Sequence, residues 1–365
     1  MNSLAQELVE LIRQEGPISI SRYMALCLGH PRHGYYMKQD PFGADGDFTT
    51  SPEISQIFGE LIGLWAASIW QAMGAPASVR LIEIGPGRGT LMQDMLRAAR
   101  ALPGFRDALS VHLVETSPVL RERQRTTLAG SGATPQWHER IDQALEGPAI
   151  VVANEFLDAL PLDQFVGTPE GWRERLIGLD GEGRLAFGLA AEPDNAVTVA
   201  APIGAVLEQP AVALEAVAAV ARHVAAEGGA GLFIDYGPTC SGFGDTLQAM
   251  KRHAFVDVLA EPGDADLTVH VDFARMAQAG LAVGAAAHGA VTQRDFLLAL
   301  GLQQRLEALS RRATPAQAEA LASGAERLIE TGPTAMGELF KVLAVADPNL
   351  PPLPGFDLHR LPEQG

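Results

Sequence analysis

Residues 79–90 read Val-Arg-Leu-Ile-Glu-Ile-Gly-Pro-Gly-Arg-Gly-Thr, and they constrain this chain more than any other stretch. An apolar run carrying a carboxylate, Glu83, leads at once into three glycines, Gly85, Gly87 and Gly89. A helical pattern follows over residues 91–100. Strand, glycine turn and helix in that order open a βαβ unit of a parallel sheet. Glycine permits the sharp turn and lets a ligand approach the backbone with no Cβ in the way. The third glycine comes two residues after the second, whereas the dinucleotide fingerprint G-x-G-x-x-G places it three after. The spacing alone also suits a plain strand-to-helix turn in another α/β fold.

The rest of the pattern extends the α/β alternation. Strands are expected at 80–84, 110–115, 134–138, 149–153 and 231–236, with helices between them. A hairpin at 172–179 and 184–189, turning on Asp180-Gly181-Glu182-Gly183, interrupts this order, as does an Ala-rich helix pattern over 204–227. Helices are predicted at 3–15, 19–28, 51–73 and 293–308, and further strands at 266–273 and 337–346. The expected division is an N-terminal helical and loop element over 1–75, a main α/β domain over 76–167 and 228–346, and an insertion over 168–227. A tail over 347–365 with five prolines is expected to lie extended on the surface.

Composition narrows the function class. Hydrophobic residues make up 47% and charged residues 19%, which suits a globular chain with a sizeable core. The net charge of −17 argues against a nucleic-acid binder, which shows a basic face. There are only two cysteines, Cys27 and Cys240, and no C-x-x-C, so neither a disulfide scaffold nor a cysteine metal site is expected. Asp264, Asp266, His270 and Asp272 read as solvated strand polarity rather than metal ligands, and no metal is assigned. The uncharged stretch 276–293 holds three glycines and a histidine and is a poor membrane span. Early acids and no apolar leader core make a cytoplasmic protein the expectation.

Four further segments carry chemistry. Glu115 ends the second strand, where an acid can accept hydrogen bonds from both ribose hydroxyls. NAD enzymes place an acid there too, so Glu115 points to an adenosine-type cofactor without choosing among them. Asn154-Glu155-Phe156-Leu157-Asp158 follows the fourth strand and faces the expected ligand crevice. A carboxylate at Glu155, with Asn154 and Asp158 beside it, can pair with a guanidinium. Capping of the next helix is the simpler role for Asp158. Residues 46–53, including Thr50 and Ser51, form a polar loop entering a helix, suited to a carboxylate ligand or to capping alone. Asp235-Tyr236-Gly237 ends another strand and is placed to line the same cleft.

The compact Gly85-Pro86-Gly87-Arg88-Gly89 with Glu83 two residues before it resembles motif I of the class I S-adenosylmethionine methyltransferases. Together with residues 46–65, 154–161, 235–237, 263–273 and 337–341, it makes most of the chain similar to the MidA family of those enzymes. The resemblance implies a Rossmann-like α/β domain that binds S-adenosylmethionine beneath extra elements. It also implies methylation of arginine in a protein, with a respiratory complex I subunit as the leading acceptor. Gly85, Gly87 and Gly89 would then shape the cofactor loop, Glu83 would hold the amino group and Glu115 the ribose. Trp137 and His138 would line the adenine pocket, Thr50 and Ser51 would meet the methionine carboxylate, and Glu155 would grip the acceptor with Asn154 and Asp158. A cofactor-binding assembly factor without turnover, a small-molecule methyltransferase and an NAD oxidoreductase are the competing classes. Titration calorimetry is expected to show binding of S-adenosylmethionine and none of NAD; the opposite result excludes the methyltransferase reading.

Overall fold

In the computed structural model, which describes residues 2–38, 50–200 and 202–356, the glycine-flanked strand sits inside a seven-stranded sheet. Its strands, numbered along the chain, are β1 (Val79–Ile84), β2 (Leu109–Val114), β3 (Gln136–His138), β4 (Ala149–Asn154), β5 (Gly229–Tyr236), β6 (Ala286–Thr292) and β7 (Phe340–Ala346). Their spatial order is 3-2-1-4-5-7-6. Strands β1 to β5 are parallel, and β7 runs antiparallel to both β5 and β6. The dinucleotide-binding sheet runs 3-2-1-4-5-6. Here an added antiparallel strand separates the fifth from the sixth.

Helices cover both faces, which is why β4 and β5 read as unbroken apolar runs. The principal helices are α1 (Ser3–Glu15), α2 (Ile20–Gly29), α3 (Gln56–Ala72), α4 (Thr90–Ala99), α5 (Pro118–Leu128), α6 (Ala211–Glu227) and α7 (Phe273–Ala282). On one face Phe58, Leu61 and Trp65 of α3 and Met92 and Met95 of α4 pack with Leu81, Ile150 and Val152. On the other, Val217, Val220 and Val224 of α6 and Met276 of α7 pack with Ile82, Val151 and Phe233. Leu81 and Ile82 fall on opposite faces because side chains alternate along a strand.

The N-terminal element and the insertion share one layer. Strands Asp163–Thr168, Gly171–Leu179, Leu185–Leu189 and Val206–Gln209 join the N-terminal pair Ile18–Ser19 in a second, antiparallel sheet. Leu4, Leu8 and Ile12 of α1 and Tyr23 of α2 share a core with Leu162, Ile177 and Leu267.

Several boundaries differ from the sequence expectation, each for a local reason. The pattern over 204–227 splits at Pro210 into a strand and α6, and α6 is the crossover from β4 to β5 rather than part of the insertion. The 51–73 helix breaks at Ser55, whose backbone is extended and whose hydroxyl accepts from the Ile57 N–H to cap α3. Gly301, at φ +91°, divides 293–308 into two helices. Only Asp266–Thr268 of the 266–273 stretch is a strand, because Asp272 caps α7 by accepting from the Arg275 N–H. Strand β6 and the helix Pro315–Ile329 come in addition to the expected elements.

The tail is not a surface segment as far as it is described. Leu350, Leu353 and Phe356 are buried, and the Phe356 ring lies 5.2 Å from that of Phe296. Residues 357–365 lie outside the described residues. Phe356→Ala removes a buried ring from the main core and is expected to lower unfolding stability by about 3 kcal/mol. A urea midpoint equal to that of the wild type would show the tail to be dispensable.

Candidate active site

A cavity of ≈340 Å³ opens beyond the C-terminal ends of β1, β2 and β4. This is where the order of the strands reverses, the position at which open α/β sheets bind ligands. The turn after β1 forms its floor. Gly85, Gly87 and Gly89 have φ of +65°, +50° and +83°, the left-handed region that glycine adopts without strain. A Cβ on Gly85 would stand 3.0 Å from the Phe156 ring, so the loops after β1 and β4 close on each other. Glu83 lies buried behind the turn, and its Oε2 has no hydrogen-bond partner among the described residues. Desolvation holds its carboxyl well above the usual range.

Glu115 lines the cavity just past β2. Its Oε1 accepts from the Ser117 N–H at 2.8 Å and its Oε2 from Gln124 Nε2 at 3.2 Å. Gln124, fully buried on α5, was not among the expected site residues. Its Nε2 also donates to the Gly87 carbonyl at 2.8 Å, and its Oε1 accepts from Trp137 Nε1 at 2.8 Å. One amide therefore ties the glycine turn to the acid after β2. No pattern in the sequence marks it, since an i,i+4 stripe shows that a helix faces inward but not what its polar residues meet.

The loop after β4 is built around a carboxylate from the neighbouring strand. Asp235, at the end of β5, accepts through Oδ2 from the N–H groups of Phe156, Leu157 and Asp158 at 3.2, 2.9 and 3.2 Å. Its Oδ1 accepts from the Tyr236 N–H at 2.9 Å. Burial and the nearby Asp158 raise the Asp235 carboxyl, and the Tyr236 and Asp158 N–H donors oppose that rise. So held, the chain turns at Glu155 with φ +51°, rare for a side chain with a Cβ. Glu155 Oε1 accepts from the Ser51 N–H at 3.1 Å and from Asn154 Nδ2 at 3.0 Å. Glu155 lines the cavity, and burial followed by the charge of Asp158 raises its carboxyl to about 7. Asp158 is raised by burial and hydrogen-bonded to the Tyr236 hydroxyl.

The structure thus brings Glu83, Gly85, Gly87, Gly89, Glu115, Asn154, Glu155 and Asp158 to one end of the sheet. Thr50 and Ser51 are also there, and Thr50 lines a small recess with Glu83, Gly87 and Asn154. The Ser51 N–H is engaged with Glu155, and the remainder of the expected loop, 46–49, lies outside the described residues. Trp137 and His138 do not line the cavity. The indole bonds Gln124 and lies under Arg125, and the His138 ring stacks on His112. Glu139, Arg140 and Ile141, the next three residues, line it instead.

The sheet order, the glycine turn and the acid after β2 define the class I methyltransferase fold. Its donor set fits S-adenosylmethionine: an unpaired buried carboxylate oxygen at Glu83 for a cation, Glu115 for a diol, and Val114, Leu120 and Ile141 as an apolar wall for a flat base. Residues 61–291 match a family model described as “Putative S-adenosyl-L-methionine-dependent methyltransferase”. Protein arginine methyltransferase NDUFAF7, mitochondrial, of Danio rerio is 38% identical over 94% of this chain and 86% of its own length. The Homo sapiens protein of that name is 36% identical over 94% of this chain and 83% of its own length. The crystal structure of a Burkholderia thailandensis protein bound to S-adenosyl-homocysteine superposes with a TM-score of 0.81 at 30% identity, covering 97% of this chain and 92% of that one. The chain belongs to this family of S-adenosylmethionine-dependent methyltransferases, and S-adenosylmethionine is its cofactor.

Gln124→Leu leaves the Gly87 carbonyl, Glu115 Oε2 and the Trp137 N–H each short of a partner. It is expected to weaken S-adenosylhomocysteine binding about tenfold, the effect of one or two lost buried hydrogen bonds. Calorimetry on the folded variant reads this directly.

Proposed function

We propose that this enzyme methylates a guanidinium nitrogen of arginine in a protein. The observation that carries this reading is the setting of Glu155. Its carboxylate reaches the cofactor cavity from a strained turn, with Oε1 fixed by two donors and Oε2 accepting no hydrogen bond among the described residues. A carboxylate so fixed suits a guanidinium, whose planar fork pairs with carboxylates in defined geometry. The names of the relatives, protein arginine methyltransferase, support the same acceptor. A respiratory complex I subunit is the protein substrate that the family resemblance favours, and the cytoplasm is the compartment read from the sequence.

S-adenosylmethionine, when bound, supplies an electrophilic methyl group on a sulfonium. Everything else falls to the chain. Glu83, behind Gly85, Gly87 and Gly89, takes the cationic amino group, and Glu115 takes the ribose hydroxyls. Glu155 orients the guanidinium, with Asn154 holding that carboxylate in place and Asp158 adding negative charge. Alignment of the acceptor nitrogen is most of what such a transfer needs. The nitrogen must also lose a proton, and a carboxyl raised to about 7 accepts one near neutral pH.

Glu155→Gln is expected to lower methylarginine formation at least 100-fold while S-adenosylhomocysteine affinity stays within about threefold. The assay is transfer of labelled methyl to a lysate of the host lacking the gene, read by mass spectrometry of modified arginine. Labelling retained in the variant, or found on another residue type, overturns the proposal. Because the Glu155 carboxyl is raised, it is protonated below its midpoint and ionised above it. Activity of the wild type should therefore climb as pH passes upward through about 7, and a profile flat from pH 6 to 8 contradicts the role given to Glu155.

A further inference from the structure

We propose that Gln293 is a positioning residue that holds Glu155 in its working orientation through Ser51. This rests on the reading of Glu155 given above. Gln293 opens the helix Gln293–Ala299, immediately after β6, and it is fully buried. Its Nε2 donates to the Leu328 carbonyl at 2.9 Å, and its Oε1 faces the Ser51 hydroxyl at 3.2 Å. A carbonyl oxygen can only accept, so the amide nitrogen must face Leu328 and the amide oxygen must face Ser51. The Ser51 hydroxyl must then donate to Gln293. That leaves the Ser51 backbone N–H as its link to Glu155, at 3.1 Å.

Ser51 is itself fully buried and starts a four-residue helix, Ser51–Ile54, whose N-cap Thr50 makes no side-chain capping bond. Its hydroxyl bond to Gln293 is therefore a main tether for the residue that fixes Glu155 Oε1. The chain of bonds runs from the Leu328 carbonyl near the end of helix Pro315–Ile329, through the Gln293 amide, through Ser51, to a carboxylate after β4. Four segments distant in sequence meet along it, joined by the Leu328–Gln293, Gln293–Ser51 and Ser51–Glu155 hydrogen bonds. Buried networks satisfied in this way hold side chains in one arrangement.

Removing the tether loosens a donor to the ionised form of Glu155, which disfavours that form. The charged and titratable groups around this carboxyl are Asp158 on its own loop, Asp235 at the end of β5, Glu83 on β1, Glu53 with Arg88 across the recess, and Tyr36, Glu115, Glu139 and Arg140 around the cavity. None of them changes in the variants used below.

The test is a pH titration of the Glu155 side-chain carboxyl by carbon NMR on the full chain saturated with S-adenosylhomocysteine, its signal assigned by Glu155→Gln. Gln293→Leu and Ser51→Ala are each expected to move its midpoint upward by about half to one pH unit. The double variant should move it no further than either single change, since both cut the same tether. An unmoved midpoint in the folded variants, or shifts that add, overturns the proposal. If Gln293→Leu does not fold, Ser51→Ala, which deletes one oxygen, decides alone. The titration needs no acceptor, so its outcome is separate from that of the arginine assay. A shifted carboxyl in an enzyme whose activity ignores Glu155 would keep the positioning role and discard the catalytic one.

Discussion

One carboxylate organises the end of the sheet where the chemistry lies. Asp235 stands at the tip of β5 and gathers the backbone N–H groups of Phe156, Leu157 and Asp158 from the loop after β4. Left unpaired in a buried site, each of these donors would cost about 1–3 kcal/mol. Paired, they force the chain to bend sharply, and the bend falls on Glu155. The same bend seats the Phe156 ring over Gly85, so the loop after β4 and the glycine turn after β1 are fixed relative to each other. Side chains from β4 and β5 are neighbours only because those strands pair in parallel and in register, Ile234 opposite Asn154. The chemistry therefore depends on the sheet, and the sheet's own order is what brings three carboxyl groups to one spot.

That concentration of acid has a cost that the fold absorbs unevenly. Asp235 is surrounded by donors, whereas Glu83 keeps a buried oxygen with none among the described residues. An arrangement of this kind lowers the stability of the isolated chain and is found where a ligand is to be met. S-adenosylmethionine carries a positive sulfonium and a positive amino group, and a cation brought beside a carboxyl raised by burial favours its ionised form. The net charge of −17 is a weaker statement of the same preference, since much of it lies on exposed residues screened by salt.

How much of this could be read from the residues follows from their placement. Strands β1, β2, β4 and β5 are apolar runs that end in an acid or an amide, and such endings are visible in one dimension. Glu83, Glu115, Asn154 and Glu155 stand out in the sequence for that reason. Gln124 and Gln293 act from helices, and their partners come from segments far away in sequence, so nothing nearby marks them. Strand β6, Ala-Ala-His-Gly-Ala-Val-Thr, is made mostly of small residues and lacks the β-branched signal of its neighbours. The prolines over 347–356 agree with the absence of helix and strand among those residues. They say nothing about exposure, which Leu350, Leu353 and Phe356 decide by burying themselves. Trp137 and His138 are the converse case: an aromatic pair after a strand suggests a base-binding wall, whereas in this sheet Trp137 bonds Gln124 and His138 meets His112.

The place of β7 bears on how such a molecule comes into being. It is the last of the seven strands to be synthesised, yet it lies between β5 and β6 and hydrogen-bonds to both. Until β7 pairs, β5 presents an open edge. β6 has no sheet partner in the meantime. Such a gap invites strands from other chains until β7 fills it.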